Sequence, residues 1–337
     1  MIRFFILQTF YVFLFFSHIQ PLYAADHFCR IGVESLRISE KTLGVALVIG
    51  NSAYQSKRLR HPKSDAEDIG DLLESIGFSV AILEDIHDKD EFSKVIGKFV
   101  NCLKINKDLV AFFYFSGYGK YVEIQIGKMV NYLLPTGIDK IDKKSDILSH
   151  AYSVEQLFLE LEDLKNIKVF ILDACRKYPK FSTGDGLTGD GLAEMNTQDY
   201  RIGNYLVAFP TIISKVNDDG IRLASQTIIS DNLETKNSLY VEHLLNVLGE
   251  VKTKVKRIED VFSEINEAMG EDERNKVKEV NVEWIKGAYF YPNPVSLEPI
   301  FCFGEKCPTG GVDPNTQDYP EPKIVDYPKP KRDRPIH

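Results

Sequence analysis

The chain has 337 residues, 44% of them apolar and 27% charged, with a formal net charge of −8. That length and apolar content suit one large domain or two small ones with a substantial core. The acidic balance excludes a surface built for nucleic acid and predicts no attraction to anionic membranes.

Residues 1–25 differ in character from the rest of the chain. Arg3 precedes a Phe-rich apolar run from Phe4 to Phe16, and a polar stretch then leads to Pro21-Leu22-Tyr23-Ala24-Ala25. A positive start, an apolar middle and small residues at the end are the regions of a signal peptide, with cleavage expected near Ala24 or Ala25. Leu22 or Tyr23, three before the cut, departs mildly from an A-x-A site. The run is too short for a membrane-spanning helix, which needs about 20 apolar residues. The expectation is an exported protein, periplasmic or secreted, with no stable membrane insertion after cleavage. Residues 26–42 then form an N-terminal extension.

From Gly44 strands and helices alternate, which implies a parallel sheet covered on both faces. Val45–Ile49 is an apolar strand closed by Gly50-Asn51. A helix is expected from Ser64, with Glu67 reaching back in a capping box, and Ile69, Leu72, Leu73 and Ile76 lining one face. Gly77 ends it before a strand over Phe78–Leu83. A second helix spans about Lys89 to Leu103, its apolar face carrying Phe92, Val95, Ile96, Phe99 and Cys102. The strand Leu109–Phe115 comes next and stops at Ser116-Gly117-Tyr118-Gly119. Val122, Ile124 and Ile126 alternate with polar residues, and Gly127-Lys128 turns into Met129–Leu134, an exposed hairpin peripheral to the sheet. A helix capped by Ser153 leads to the strand Val169–Leu172, which stops at Asp173-Ala174-Cys175-Arg176. Beyond a Gly/Asp-rich loop at 184–191, a strand is expected at Tyr205–Phe209. Helices near Ser238–Leu248 and Ile258–Met269 precede a last strand around Trp284–Tyr291.

Besides Cys175 there are four cysteines, Cys29, Cys102, Cys302 and Cys307. An oxidising compartment would let them pair, and four cysteines allow three connectivities. Cys302 and Cys307 could bridge locally, or either could tie the domain's end to Cys29. Cys102, on the apolar face of its helix, reads as a plain core residue. Seven of the 15 prolines fall in residues 308–337. There Asp318-Tyr319-Pro320-Glu321-Pro322-Lys323 recurs as Asp326-Tyr327-Pro328-Lys329-Pro330-Lys331, so residues 301–337 read as a Cys-containing segment and an extended, unpacked tail, either an unconstrained terminus or a docking tail for another protein.

Ser116-Gly117-Tyr118-Gly119 and Asp173-Ala174-Cys175-Arg176 lie 57 residues apart and each ends a buried parallel strand. In open α/β sheets chemistry gathers beyond the carboxyl ends of strands, where these turns would be neighbours. This pairing resembles the caspase-like superfamily of cysteine peptidases, nearest its bacterial metacaspase-like branch. Agreement extends through Ala46–Tyr54, Ser64-Asp65-Ala66, Asn131–Pro135 and Ile171–Arg176. It is looser at Gly191-Leu192-Ala193 and Trp284…Tyr289-Phe290-Tyr291. The match covers roughly residues 43–292, within a domain placed at 43–300. It implies a three-layer α/β sandwich with a mostly parallel central sheet of about six strands and helices on both faces.

The resemblance makes Cys175 the nucleophile and puts the backbone N–H groups of Gly119 and Cys175 in an oxyanion hole. Asp65 and Asp173, with Ser116 beside them, fall on the positions of an acidic pocket for an Arg or Lys before the scissile bond. An acid at Asp173 would repel an acidic substrate residue. The structural alternative is that Asp65 caps its own helix and Asp173 satisfies backbone donors. Where the family has its catalytic His, this chain has Tyr118. A cysteine attacks as thiolate, and at a pKa near 8.5 only about a few per cent is ionised at neutral pH. Tyrosine, with a pKa of about 10, is already protonated and cannot take the thiol's proton. Losing a positioned acid–base group costs about 10²–10⁴ in rate. Of the other histidines, His61 is the one whose loop neighbours Asp65.

The expectation is therefore a pseudopeptidase that binds peptides or proteins with exposed Arg or Lys without cutting them. The alternative is a slow cysteine endopeptidase cleaving after Arg or Lys, for which Arg201, Lys215 and Arg222 are candidate self-cleavage sites. No cofactor or metal is expected. The 184–191 loop has two carboxylates, Asp185 and Asp190, too few for an autonomous calcium site.

Overall fold

The computed structural model describes residues 26–126, 128–138, 140–174, 188–193, 205–210, 234–254, 256–272, 289–292 and 302–303. The central sheet takes the apolar runs found in the sequence: β3 (Gly44–Gly50), β4 (Phe78–Glu84), β5 (Val110–Ser116), β9 (Lys168–Asp173) and β11 (Tyr205–Phe209). All five are parallel, and β13 (Tyr289–Pro292) adds an antiparallel edge in the order β13-β11-β9-β5-β3-β4.

Alternate residues of each strand bury into different layers, as the pleat requires. Leu47, Phe113, Phe170 and Val207 share one core with α2 (Lys89–Leu103) and α4 (Val154–Leu161). Val48, Tyr114, Ile171 and Ala208 share the other with α1 (Pro62–Ser75), α5 (Leu239–Gly249) and α6 (Ile258–Glu271). With both faces covered, the strands need no polar alternation, which is why they read as continuous apolar runs. The fold is the expected three-layer α/β sandwich. Phe303 also enters the second core, where β14 (Cys302–Phe303) pairs with β12 (Lys256–Arg257).

The hairpin is part of a second, smaller sheet in the order β10-β6-β7-β8, formed by β6 (Gly119–Gln125), β7 (Lys128–Leu133), β8 (Tyr152–Ser153) and β10 (Thr188–Asp190). Its inner face encloses a third cluster containing Tyr54, Leu59, Tyr118, Val122, Val130, Tyr132 and Leu134. A short helix, α3 (Lys144–His150), contributes Ile147 to it.

Two expectations are corrected. The first helix begins at Pro62, not Ser64, because proline is pre-set for the first helical position and lacks an N–H that would go unused there. Ser64 Oγ instead donates to the His61 carbonyl at 2.9 Å, and it lies 2.7 Å from the Lys236 carbonyl. Cys102 is also more than a core residue. It forms a disulfide with Cys29 and so fastens β1 (His27–Ile31), which pairs with β2 (Glu34–Ile38), onto α2.

Candidate active site

Parallel register brings the two strand ends level. Ser116 is the partner of Asp173, and the Gly117 N–H continues the ladder to the Asp173 carbonyl at 3.2 Å. Ser116 Oγ donates to Asp173 Oδ2 at a long 3.5 Å. By the alternation that sends Tyr114 and Ile171 to the α1 and α5 side, Ser116 and Asp173 belong to that side too. Asp65, in the first turn of α1, is fully buried, and Oδ1 accepts from the Ser238 N–H at 2.8 Å. Asp65 thus caps α5 across the layer and not, as its helix position suggested, its own helix. The Asp173 carboxylate stands close to Tyr240, whose phenol is raised above the ordinary tyrosine value by burial and then by that charge.

Gly119 sits where no side chain would fit. A Cβ there would lie 2.3 Å from the Ala174 carbonyl oxygen, 2.8 Å from Leu192 Cδ2 and 2.9 Å from Ala174 Cβ. The start of β6 therefore lies flush against the residue preceding Cys175. The Leu134 N–H donates to the Tyr118 carbonyl at 2.9 Å, so the ladder turns the Gly119 N–H and C=O away from β7. On that side the Gly191 N–H donates to the Gly119 carbonyl at 3.1 Å. Cys175 itself lies outside the described residues, as do residues 184–187 and the basic residues Arg201, Lys215 and Arg222.

Tyr118 belongs to this turn but is 1% exposed. Its ring meets Tyr54 edge-on at 4.6 Å, and its hydroxyl donates to the Lys57 carbonyl at 3.4 Å. Its backbone N–H donates to the Tyr54 hydroxyl at 3.0 Å, and that hydroxyl donates onward to the Leu134 carbonyl at 2.8 Å. The phenol is a packing element of the third cluster. His61 is also buried, with Nδ1 3.2 Å from the Lys236 carbonyl.

A profile of the Caspase domain family matches residues 43–287. The chain belongs to this family. Solved structures that resemble it include caspase-1 from Spodoptera frugiperda, 15% identical over 75% of this chain and 89% of that one, with a TM-score of 0.46. The Drosophila initiator caspase Dronc is 12% identical over 75% of this chain and 81% of its own, with a TM-score of 0.47. A protein from Geobacter sulfurreducens is 14% identical over 79% of this chain and 95% of its own, also with a TM-score of 0.47. No curated protein sequence matches the chain significantly.

Three supports of this caspase-like site went unread in the sequence. Tyr54 braces the Gly117–Tyr118 turn through its ring and its hydroxyl. Asn131 grips the Leu192–Ala193 segment through both amide atoms, donating to the Ala193 carbonyl at 2.9 Å and accepting its N–H at 2.7 Å. Asp85, in the left-handed region at φ 51°, accepts from the Ser52 and Ala53 N–H groups, each at 2.7 Å, and pairs with Lys63 at 2.8 Å. Burial alone would raise its pKa, but the Lys63 hydrogen bond and the two backbone donors outweigh that and hold it below the usual aspartate value. Tyr54 and Asn131 stand inside the stretches that carried the family resemblance, which is the signal that could have marked them.

Proposed function

We propose that this caspase-domain protein is an exported pseudopeptidase that binds basic peptide segments and does not cut them. One observation carries the reading: the side chain after Gly117 is a buried phenol packed edge-on against Tyr54, with its hydroxyl spent on the Lys57 carbonyl. A phenol, with a reference pKa of about 10, is already protonated at neutral pH, so Tyr118 has no means of accepting a thiol proton. Without an imidazole at that position, a cysteine nucleophile keeps only a small thiolate fraction at neutral pH, and the group that would ordinarily protonate the departing amine is missing. The acidic pocket is the part that persists. Buried Asp65 and Asp173 stand at the same end of the sheet as Ser116, joined by the first turn of α5, and would recognise an Arg or Lys side chain. Export is supported by the Cys29–Cys102 disulfide, a bond characteristic of oxidising compartments, and by the Arg3, Phe4–Phe16, Ala24-Ala25 pattern.

A slow cysteine endopeptidase is the second reading. It is favoured by Gly119 lying flush against Ala174, which keeps a backbone donor beside the Cys175 position. Incubating the full chain with fluorogenic peptides ending in Arg or Lys separates the two. The expected result is no turnover by the natural protein and cysteine-dependent turnover by Tyr118→His, abolished when Cys175→Ala is added. Turnover by the natural protein that disappears in Cys175→Ala would overturn the pseudopeptidase reading in favour of the slow enzyme.

A further inference from the structure

The first turn of α5 carries polar atoms that the fold itself does not use. Ser238 is the N-cap residue, yet its side chain makes no capping bond, and the helix entry is held instead by its backbone N–H on Asp65. Ser238 Oγ and the Tyr240 hydroxyl are both buried, and among the described residues neither has a hydrogen-bond partner. Ser238 is 2% and Tyr240 3% exposed. A buried hydroxyl without a partner costs free energy, so two in one helical turn ask for an explanation. Both stand beside the two carboxylates of the pocket, Ser238 bonded to Asp65 and Tyr240 within the field of Asp173.

We propose that Ser238 and Tyr240 are specificity residues that complete the pocket for a basic side chain and select arginine over lysine. This rests on the pocket reading given above. The chemistry is a matter of acceptors. A guanidinium presents five N–H donors in a rigid plane, an ammonium only three. Asp65 and Asp173 supply the charge, and the hydroxyls of Ser116, Ser238 and Tyr240 add oxygens beside them on β5 and at the start of α5. A guanidinium can use that number of acceptors, whereas an ammonium leaves several idle. Tyr240 stays protonated, because burial and Asp173 both oppose its ionisation, and its oxygen is left with lone pairs to accept from the ligand. The low dielectric of the site strengthens each such contact.

The test is a binding titration of the Cys175→Ala protein with labelled peptides identical except for one residue: Arg, Lys, citrulline or Ala. Arg should bind tightest, and Tyr240→Phe and Ser238→Ala should each weaken it by about tenfold or more. Each substitution deletes only an unpartnered hydroxyl, so the melting temperature of the free protein should stay the same or rise. If Arg binds and neither substitution weakens it, this inference fails and the acidic pocket survives. Lys binding as tightly as Arg overturns the selectivity. Equal losses for all four peptides, or a lowered melting temperature, mean a structural role and also overturn it. If no basic peptide binds any form, the pocket reading falls and takes this inference with it.

Discussion

Gly119→Ala puts a methyl group where the two strand ends meet. Its Cβ would sit 2.3 Å from the Ala174 carbonyl oxygen and 2.9 Å from Ala174 Cβ. Neither atom can rotate away, since one is backbone and the other is fixed to it. Both distances lie well inside an ordinary non-bonded contact of about 3.5 Å, so β6 must move away from the end of β9 or the turn must deform. Overpacking of this kind costs about 1–3 kcal/mol. Gly97→Ala is the matched control. It lies within α2 with nothing inside 4 Å of the added Cβ, so the same methyl group should stabilise the helix by about 0.5–1 kcal/mol. Urea unfolding of both variants gives the two numbers, read as opposite shifts of the midpoint at unchanged slope. If Gly119→Ala is as stable as the natural protein, β6 does not abut Ala174.

Tyr54→Phe removes the hydroxyl between the Tyr118 N–H and the Leu134 carbonyl and strips both buried groups of that partner. A loss of about 1–3 kcal/mol is expected in the same assay, much larger than for an ordinary surface change. Asp85 has a lowered folded-state pKa, so its contribution is present above the unfolded value of about 4 and is lost as pH falls through the folded one. Melting temperatures measured from pH 6 down to about pH 2 should show that loss. Asp85→Asn should lower stability at neutral pH and flatten the acid limb, and a variant with an unchanged acid limb would refute the assignment. Reducing Cys29–Cys102, or replacing both by Ser, opens a closed loop with a sequence separation of 73. Chain entropy alone makes the loss about 4 kcal/mol, and an unchanged unfolding midpoint under reductant would show that the bond does not form in solution.

What was legible in the sequence is what depends on near neighbours. The five parallel strands are apolar on both pleats because helices cover both faces, so each shows as an unbroken run. The amphipathic spacing of Phe92, Val95, Ile96 and Phe99 gave α2 with the same ends the structure has. The strand ends at Ser116 and Asp173 were visible because apolar runs stop there abruptly, and their level alignment comes from the parallel register.

Tertiary structure alone decided which distant groups meet. Cys102 sits on an apolar helix face, and nothing in its surroundings along the chain distinguishes a core thiol from one facing Cys29. Asp65 lies at the right place to cap its own helix, yet it caps α5 at Ser238, 173 residues away. Tyr118 and Tyr54 are 64 residues apart, and only the folded chain sets their rings edge to face in the third cluster. Local sequence sets backbone preferences through sterics and solvation of adjacent residues. Partners for side-chain polar groups are set by which elements the packed layers bring within about 3 Å, and that distance is written only in the folded chain.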